Sequence, residues 1–343
     1  MDKRVIFAVA GSGKTTHIIE ELDESKRALI ITYTVNNYSN LKAKLIGEYG
    51  FLPQNIRIYT YFTFLYSFCY KPFCFIQYGT KGINYTPNRN KFAKDTQRFI
   101  DKHKRLYSNR ITKFFEYNNI TNAILRRIEK YFDFIFIDEV QDYAGHDFNF
   151  LKQLSNANIN ILFVGDFYQH TYDTSRDGNV NSTLHDDYSL YKSKYEVMGL
   201  AVDTNSLLRS YRCSPTVCEF ITNNLGIEIH SHNENSTEVI LLTEPNEIRD
   251  IISSTDVVKL FYDKHYTYNI FSSNWGECKG IDHYNDVCVV LNKTASDFHR
   301  NDSLIDLKPI VKNKLYVACT RARNNLYFIY ERDFREQYQR MHT

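Results

Sequence analysis

Near the start of the chain a lysine and a threonine follow a glycine–serine–glycine turn: Ala8-Val9-Ala10-Gly11-Ser12-Gly13-Lys14-Thr15. Glycines let successive backbone N–H groups turn inward around phosphate oxygens, and a helix opening straight after the turn adds a favourable dipole field. Lys14 has the reach to meet β- and γ-phosphates, and the Thr15 hydroxyl suits Mg²⁺. Ala8 stands where the usual pattern has glycine, six residues before the lysine. A second candidate is Phe132-Asp133-Phe134-Ile135-Phe136-Ile137-Asp138-Glu139, an apolar run ending in two acids. Such a strand delivers Asp138 to a sheet edge, where it can hold Mg²⁺, and leaves Glu139 to polarise an attacking water. Two carboxylates beside a triphosphate are electrostatically costly without a metal, so each motif makes sense of the other. Together they point to a nucleoside triphosphatase. The plainer alternatives are a turn that merely opens a helix and a solvated acidic strand end.

These groups need a scaffold, and the apolar pattern supplies one. Residues 5–9 and 28–34 read as strands, 15–22 as a helix, and the polar stretch through Leu45 as another helix. Residues 132–137 and 159–164 are continuous apolar runs of strand length, as in a parallel sheet covered on both faces. A second series of strand candidates follows at 239–242, 269–272, 286–291 and 326–330. Strands alternating with helices predict an α/β protein with doubly wound parallel sheets. The expected organisation is one domain from 1–79 and 131–205, a small basic helical insert over 80–130, and a second domain over 206–343.

Length agrees, since 343 residues at about 150 per domain suggest two. The net charge of +2 demands neither a nucleic acid nor a membrane partner. No apolar run approaches the ~20 residues of a bilayer span, and glycines interrupt the opening apolar stretch, so no signal peptide is expected. Seven cysteines, an odd number with no CxxC, argue against a disulfide framework or a zinc site and for a reducing, cytoplasmic setting. Locally the balance differs: residues 89–130 carry twelve lysines and arginines against four acids. That run is either a phosphate-backbone surface or a solvated face. Its interleaved aromatics, Phe92, Phe99, Tyr107, Phe114 and Phe115, have the spacing of a small core.

Further motifs follow in order: Asp138-Glu139-Val140-Gln141-Asp142, Val164-Gly165-Asp166-Phe167-Tyr168-Gln169, Leu208-Arg209-Ser210-Tyr211-Arg212, Gly276-Glu277-Cys278-Lys279-Gly280-Ile281-Asp282 and Tyr316-Val317-Ala318-Cys319-Thr320-Arg321-Ala322-Arg323. The ordered set resembles the UvrD/Rep-like superfamily 1 DNA helicases, which often carry alanine at the position of Ala8. The resemblance runs from residue 8 to 328. It implies two RecA-like domains with ATP and Mg²⁺ between them, and single-stranded DNA as partner, RNA being the other option. Ala10, Gly11, Ser12, Gly13, Lys14, Thr15 and Thr16 would cradle the nucleotide, with Thr15 and Asp138 on the metal and Glu139 on the water. Gln169 would sense the γ-phosphate, Arg212 and Arg321 would serve as arginine fingers, Tyr211 would stack on adenine, and Gly280 with Asp282 would meet the ribose. Tyr33, Thr60 and Phe62 lie in segments resembling the family's DNA contacts; for Phe62 a core role is an equal alternative.

The chain departs from that pattern in four places. Only about seven residues precede the phosphate loop, where family members usually carry an adenine-reading segment with a glutamine. Thr16 replaces a common arginine. The aromatic that stacks on a base falls near Thr174. Finally, about 63 residues separate Arg212 from Gly276, too few for the large helical insert of processive relatives. The expected activity is an ATP-dependent motor on single strands, 3′ to 5′ by family analogy. The alternative is a nucleotide-controlled switch subunit that docks a protein partner, such as a nuclease, without unwinding.

Overall fold

Apolar runs that water would expose become the inner strands of two parallel sheets in the computed structural model, which describes residues 1–88, 90, 92–171 and 177–342. The first sheet has the spatial order Ile56–Thr60, Ala28–Thr32, Phe134–Asp138, Asn160–Gly165, Lys3–Phe7 and Ala201–Asp203, every neighbouring pair parallel. Its inner strands are buried almost throughout, which is why they read as uninterrupted hydrophobic runs. Register sets what lies at the carboxyl edge. Thr32 pairs with Thr60, Asp138 with Val164 and Phe7 with Gly165, so the strand ends line up where parallel sheets bind ligands.

The second sheet runs Val239–Leu241, Leu326–Tyr330, Val287–Leu291, Val258–Phe261 and Ser272–Asn274, again all parallel. Trp275, Leu315, Val317 and Ala318 are among the residues of its core. The chain divides into two compact units: Met1–Phe7, Lys14–Gly165 and Tyr172–Asp203 in the first, Ala8–Gly13, Asp166–Thr171 and Thr204–Thr343 in the second. It therefore changes unit five times, among them inside the phosphate loop, between Gly13 and Lys14, and between Gly165 and Asp166.

Several elements differ from the expected ones for physical reasons. Ile56–Thr60 and Ala201–Asp203, not singled out as strands, are the two edges of the first sheet, where one side is open and polar residues are tolerated. Val258–Phe261 escapes the apolar pattern because of Lys259, which is wholly buried yet donates from Nζ to the Ser254 carbonyl at 2.5 Å and the Val257 carbonyl at 3.1 Å. Burial pushes that amine's pKa down. The strand expected at 269–272 begins at Ser272, behind the 3₁₀ turn His265–Thr267.

Residues 80–130 are not simply helical. They hold a short parallel pair, Gly82–Asn84 with Arg105–Tyr107, before the helices Ile111–Tyr117 and Thr121–Tyr131. Phe99, Phe114 and Phe115 are buried as a small core, Phe99 meeting Phe114 edge-on with centroids 5.4 Å apart, whereas Tyr107 is half-buried and Phe92, 89% exposed, is not part of it. Part of the positive run is also spent internally. Arg110 and Lys113 both pair with Asp177, at 3.0 and 2.5 Å, and Arg105 pairs with Asp101 at 2.9 Å. Arg89, Lys91 and the position near Thr174 lie outside the described residues. All seven cysteines are buried free thiols. No described helix is long and apolar enough to cross a membrane. The segment between Arg212 and Gly276 builds strands of the second sheet and their connecting helices.

Candidate functional site

The phosphate loop needs its glycines for two reasons. Gly11 and Gly13 have φ of 71° and 86°, a region side chains disfavour. A Cβ on Gly11 would also fall 2.7 Å from Ser210 Oγ and 2.8 Å from Arg212 Cβ. Inside the turn the Ser12 hydroxyl is buried with no hydrogen-bond partner among the described residues. A buried orphan hydroxyl is costly in isolation and suits an anionic ligand. The helix Lys14–Glu20 opens directly behind, with Lys14 and Thr15 half-buried. These features, with buried Asp138, fit a nucleotide triphosphate and its Mg²⁺. Thr16 is exposed and its hydroxyl accepts from Lys44 Nζ at 3.2 Å, so a lysine from the next helix comes to the place where an arginine was expected.

The acid pair sits at the end of Phe134–Asp138. Asp138 is 2% exposed. Glu139 takes φ 57° and ψ 47°, a left-handed conformation that costs a non-glycine residue about 1 kcal/mol or more. Different partners then hold the two neighbouring carboxylates: the Glu139 N–H donates to Asp138 Oδ1 at 3.0 Å, and Glu139 Oε2 accepts from Gln141 Nε2 at 2.5 Å. Gly165 keeps room for this turn. A Cβ there would lie 2.7 Å from Val140 Cγ1 and 2.9 Å from the Val140 nitrogen. The glycine before Asp166 is thus a packing requirement of the acid turn on the neighbouring strand.

In the second unit a buried polar chain reaches the phosphate loop. The Tyr316 hydroxyl accepts from the Ala10 N–H at 2.8 Å and donates to Asp166 Oδ2 at 3.0 Å. Gln169 Nε2 donates to the same Asp166 oxygen at 2.7 Å. Burial, then the Asp166 charge, pushes the Tyr316 pKa well up, keeping it a donor. Gln169, expected as a phosphate sensor, is tied through Asp166 and Tyr316 to the loop's backbone. Tyr316 was legible only as part of a motif; nothing in its spacing announces a contact 306 residues away.

Arg212 and Arg321 come together on one carboxylate, that of Asp282. Arg212 Nη2 donates to Asp282 Oδ1 and Nη1 to the Thr320 carbonyl at 3.2 Å. Arg321 is 1% exposed, with Nε on the Val317 carbonyl at 3.1 Å and Nη1 on the Ile281 carbonyl at 3.0 Å. Its Nη1 also lies 3.5 Å from Asp282 Oδ1. Burial, reinforced by the Arg321 charge, lowers the Arg212 pKa to about 10. Arg321, expected as an arginine finger, thus has Nε and Nη1 on carbonyls of its own unit. Asp282, expected on a ribose, is engaged by two arginines. Gly280 has φ of 82° in the loop before it. Tyr211 is exposed; one ring face stacks on His232 at 3.9 Å, and a Cβ on Gly13 would lie 3.6 Å from its Cε2.

The expected nucleic-acid residues cluster in the first unit. Thr60 caps the short helix Tyr61–Thr63, and Tyr33 lies 5.9 Å from Phe62, centroid to centroid. Tyr33 also stacks on buried Tyr61 at 5.5 Å. Phe62 is half-buried and its outer edge meets Tyr85 at 5.3 Å. Tyr85, 64% exposed, joins this cluster without any signal in the sequence, where it is an isolated tyrosine before a proline-containing turn.

Two parallel α/β sheets, a glycine phosphate loop and an acid pair at a strand end define a phosphate-loop nucleotide-binding protein. The viral superfamily 1 RNA helicase core domain family matches residues 90–330, and the AAA domain family matches residues 2–175. The chain belongs to the viral superfamily 1 helicase core family, among the helicase-type ATPases. Two solved structures of arterivirus nonstructural protein 10, a helicase, one of them in complex with DNA, are similar in fold. Each has a TM-score of 0.50 and 13% identity over 95% of this chain. The chain spans 60% and 59% of their lengths. No curated protein sequence matches it.

Proposed function

We propose that the chain is an ATP-dependent superfamily 1 motor that couples hydrolysis to movement along single-stranded nucleic acid, DNA in the first instance. The observation that carries this reading is the close seat of the Gly11 turn on Ser210 and Arg212, which puts a guanidinium-bearing segment against the phosphate loop at a separation only glycine allows. Lys14 and the N–H groups of Gly11–Thr15 would hold the phosphates, and Thr15 with Asp138 would hold Mg²⁺. The metal, when bound, would neutralise phosphate charge. Glu139, placed by its left-handed backbone, would take the proton of the attacking water. Arg212 would meet charge developing on the transferred phosphoryl group, with Arg321 fixing its position. Gln169 would report phosphate occupancy through Asp166 and Tyr316.

Tyr33 and Phe62 would stack on bases, an interaction of ~1–3 kcal/mol per base that tolerates any sequence. The DNA of the arterivirus complex and the RNA in the family's description support a nucleic-acid partner in general terms. The UvrD/Rep-like order of motifs supports 3′ to 5′ movement, and the seven free thiols support a cytoplasmic setting. The deciding experiment is ATP hydrolysis alone and with single-stranded DNA, single-stranded RNA or a forked duplex. Strong stimulation by single strands is expected, and Lys14→Ala or Glu139→Gln should abolish turnover. A flat response to every nucleic acid, with hydrolysis intact, would favour the switch-subunit reading instead. Near-normal turnover in either variant would remove the assigned site.

A further inference from the structure

Two guanidinium groups that share one lobe repel each other, the more so when burial strips away water. Arg321 is 1% exposed and the Arg212 side chain 11%, yet the Asp282 side chain between them is 55% exposed. The three members thus differ in freedom. Arg321 has Nε and Nη1 on the Val317 and Ile281 carbonyls and Nη2 at 3.5 Å from Thr320 Oγ1. Among the described residues, the Arg212 guanidinium has the Thr320 carbonyl besides Asp282. The Asp282 backbone is pinned, its carbonyl accepting from Arg323 Nε at 2.8 Å, but its carboxylate stands at the solvent edge.

We propose that Asp282 is the resting counter-ion of Arg212: anchored on Arg321, its carboxylate latches Arg212 while no triphosphate is bound and yields that arginine to the γ-phosphate when one arrives. The proposal rests on the nucleotide site described above and adds a positioning residue to it. One negative charge serves two cations, so the triad retains a positive charge suited to a γ-phosphate, the group a diphosphate lacks. A carboxylate is the right placeholder because it offers a guanidinium the same fork of oxygens as a phosphate. Exchange of one anion for another keeps Arg212 compensated throughout and avoids an unpaired buried charge. A ribose contact from the same side chain would act on ADP and ATP alike, whereas a latch on Arg212 discriminates between them.

The test is Mg²⁺-supported binding of ATPγS and of ADP to the full chain and to Asp282→Asn, measured by calorimetry. The expected result is a five- to tenfold rise in the preference for ATPγS over ADP, because Arg212 no longer has an internal competitor. Asp282→Glu should restore the parental preference. Asp282→Ser provides a second neutral variant should the asparagine protein fail to fold. An unchanged preference in the neutral variants, or equal weakening of both nucleotides, overturns the latch. If the parent protein binds no ATPγS, the nucleotide site itself is wrong and the latch falls with it.

Discussion

The acid pair of the first unit and the arginine pair of the second pose the same problem, like charges held close, and solve it differently. Asp138 and Glu139 are adjacent in sequence, so the chain separates their roles by backbone strain: Glu139 is left-handed and its side chain is held by Gln141. Arg212 and Arg321 are 109 residues apart in sequence and are brought together by tertiary packing, so an interposed acid, Asp282, does the compensating. A strained turn fixes one residue's direction locally, whereas an ion pair ties segments distant along the chain.

The sharpest way to break this comparison is to truncate the two arginines separately. Arg212→Ala should lower ATP turnover by about 10³-fold or more with the fold intact. Arg321→Ala should instead show first in stability, with a loss of about 3 kcal/mol by urea denaturation, because Val317, Ile281 and Asp282 lose a buried partner. Equal behaviour of the two variants would erase the distinction between a reacting cation and a scaffold one. On the acid side, Gly165→Ala forces a Cβ against Val140 and should cost about 1–3 kcal/mol while displacing the Glu139 turn and lowering turnover. Full activity there would mean that the turn does not position Glu139. The smallest effect is expected from Tyr316→Phe, about 1 kcal/mol from the lost Ala10 and Asp166 hydrogen bonds, with weaker coupling of turnover to single strands. Unaltered stability and stimulation would leave the Asp166–Tyr316 chain without a role.

Leu326–Tyr330 and the inner strands of the first sheet are legible in the amino-acid sequence as continuous apolar runs, since burial on both faces leaves no polar side to interrupt them. The phosphate loop and the acid pair stand out by residue types and spacing, and the left-handed turns at Gly11, Gly13 and Glu139 lie where that spacing puts them. Edge strands escape such a reading because they are not buried on both faces, and Val258–Phe261 escapes it because a lysine can be buried when backbone carbonyls meet its amine. Over 80–130, charge density suggests exposed helix, whereas Arg110 and Lys113 are consumed by Asp177.

Residue types and their spacing settle chemistry and order: which groups can hold phosphate, metal and water, and which strands must be parallel and covered. Those follow from local geometry and from the energy of burying apolar runs. Partners are a matter of packing. That Asp282 faces two arginines, that Tyr316 reaches Ala10, and that Gly165 makes room for the Glu139 turn are contacts between segments distant along the chain. Spacing fixes neighbours within a helix or strand, but the seating of one element on another chooses which distant side chains meet.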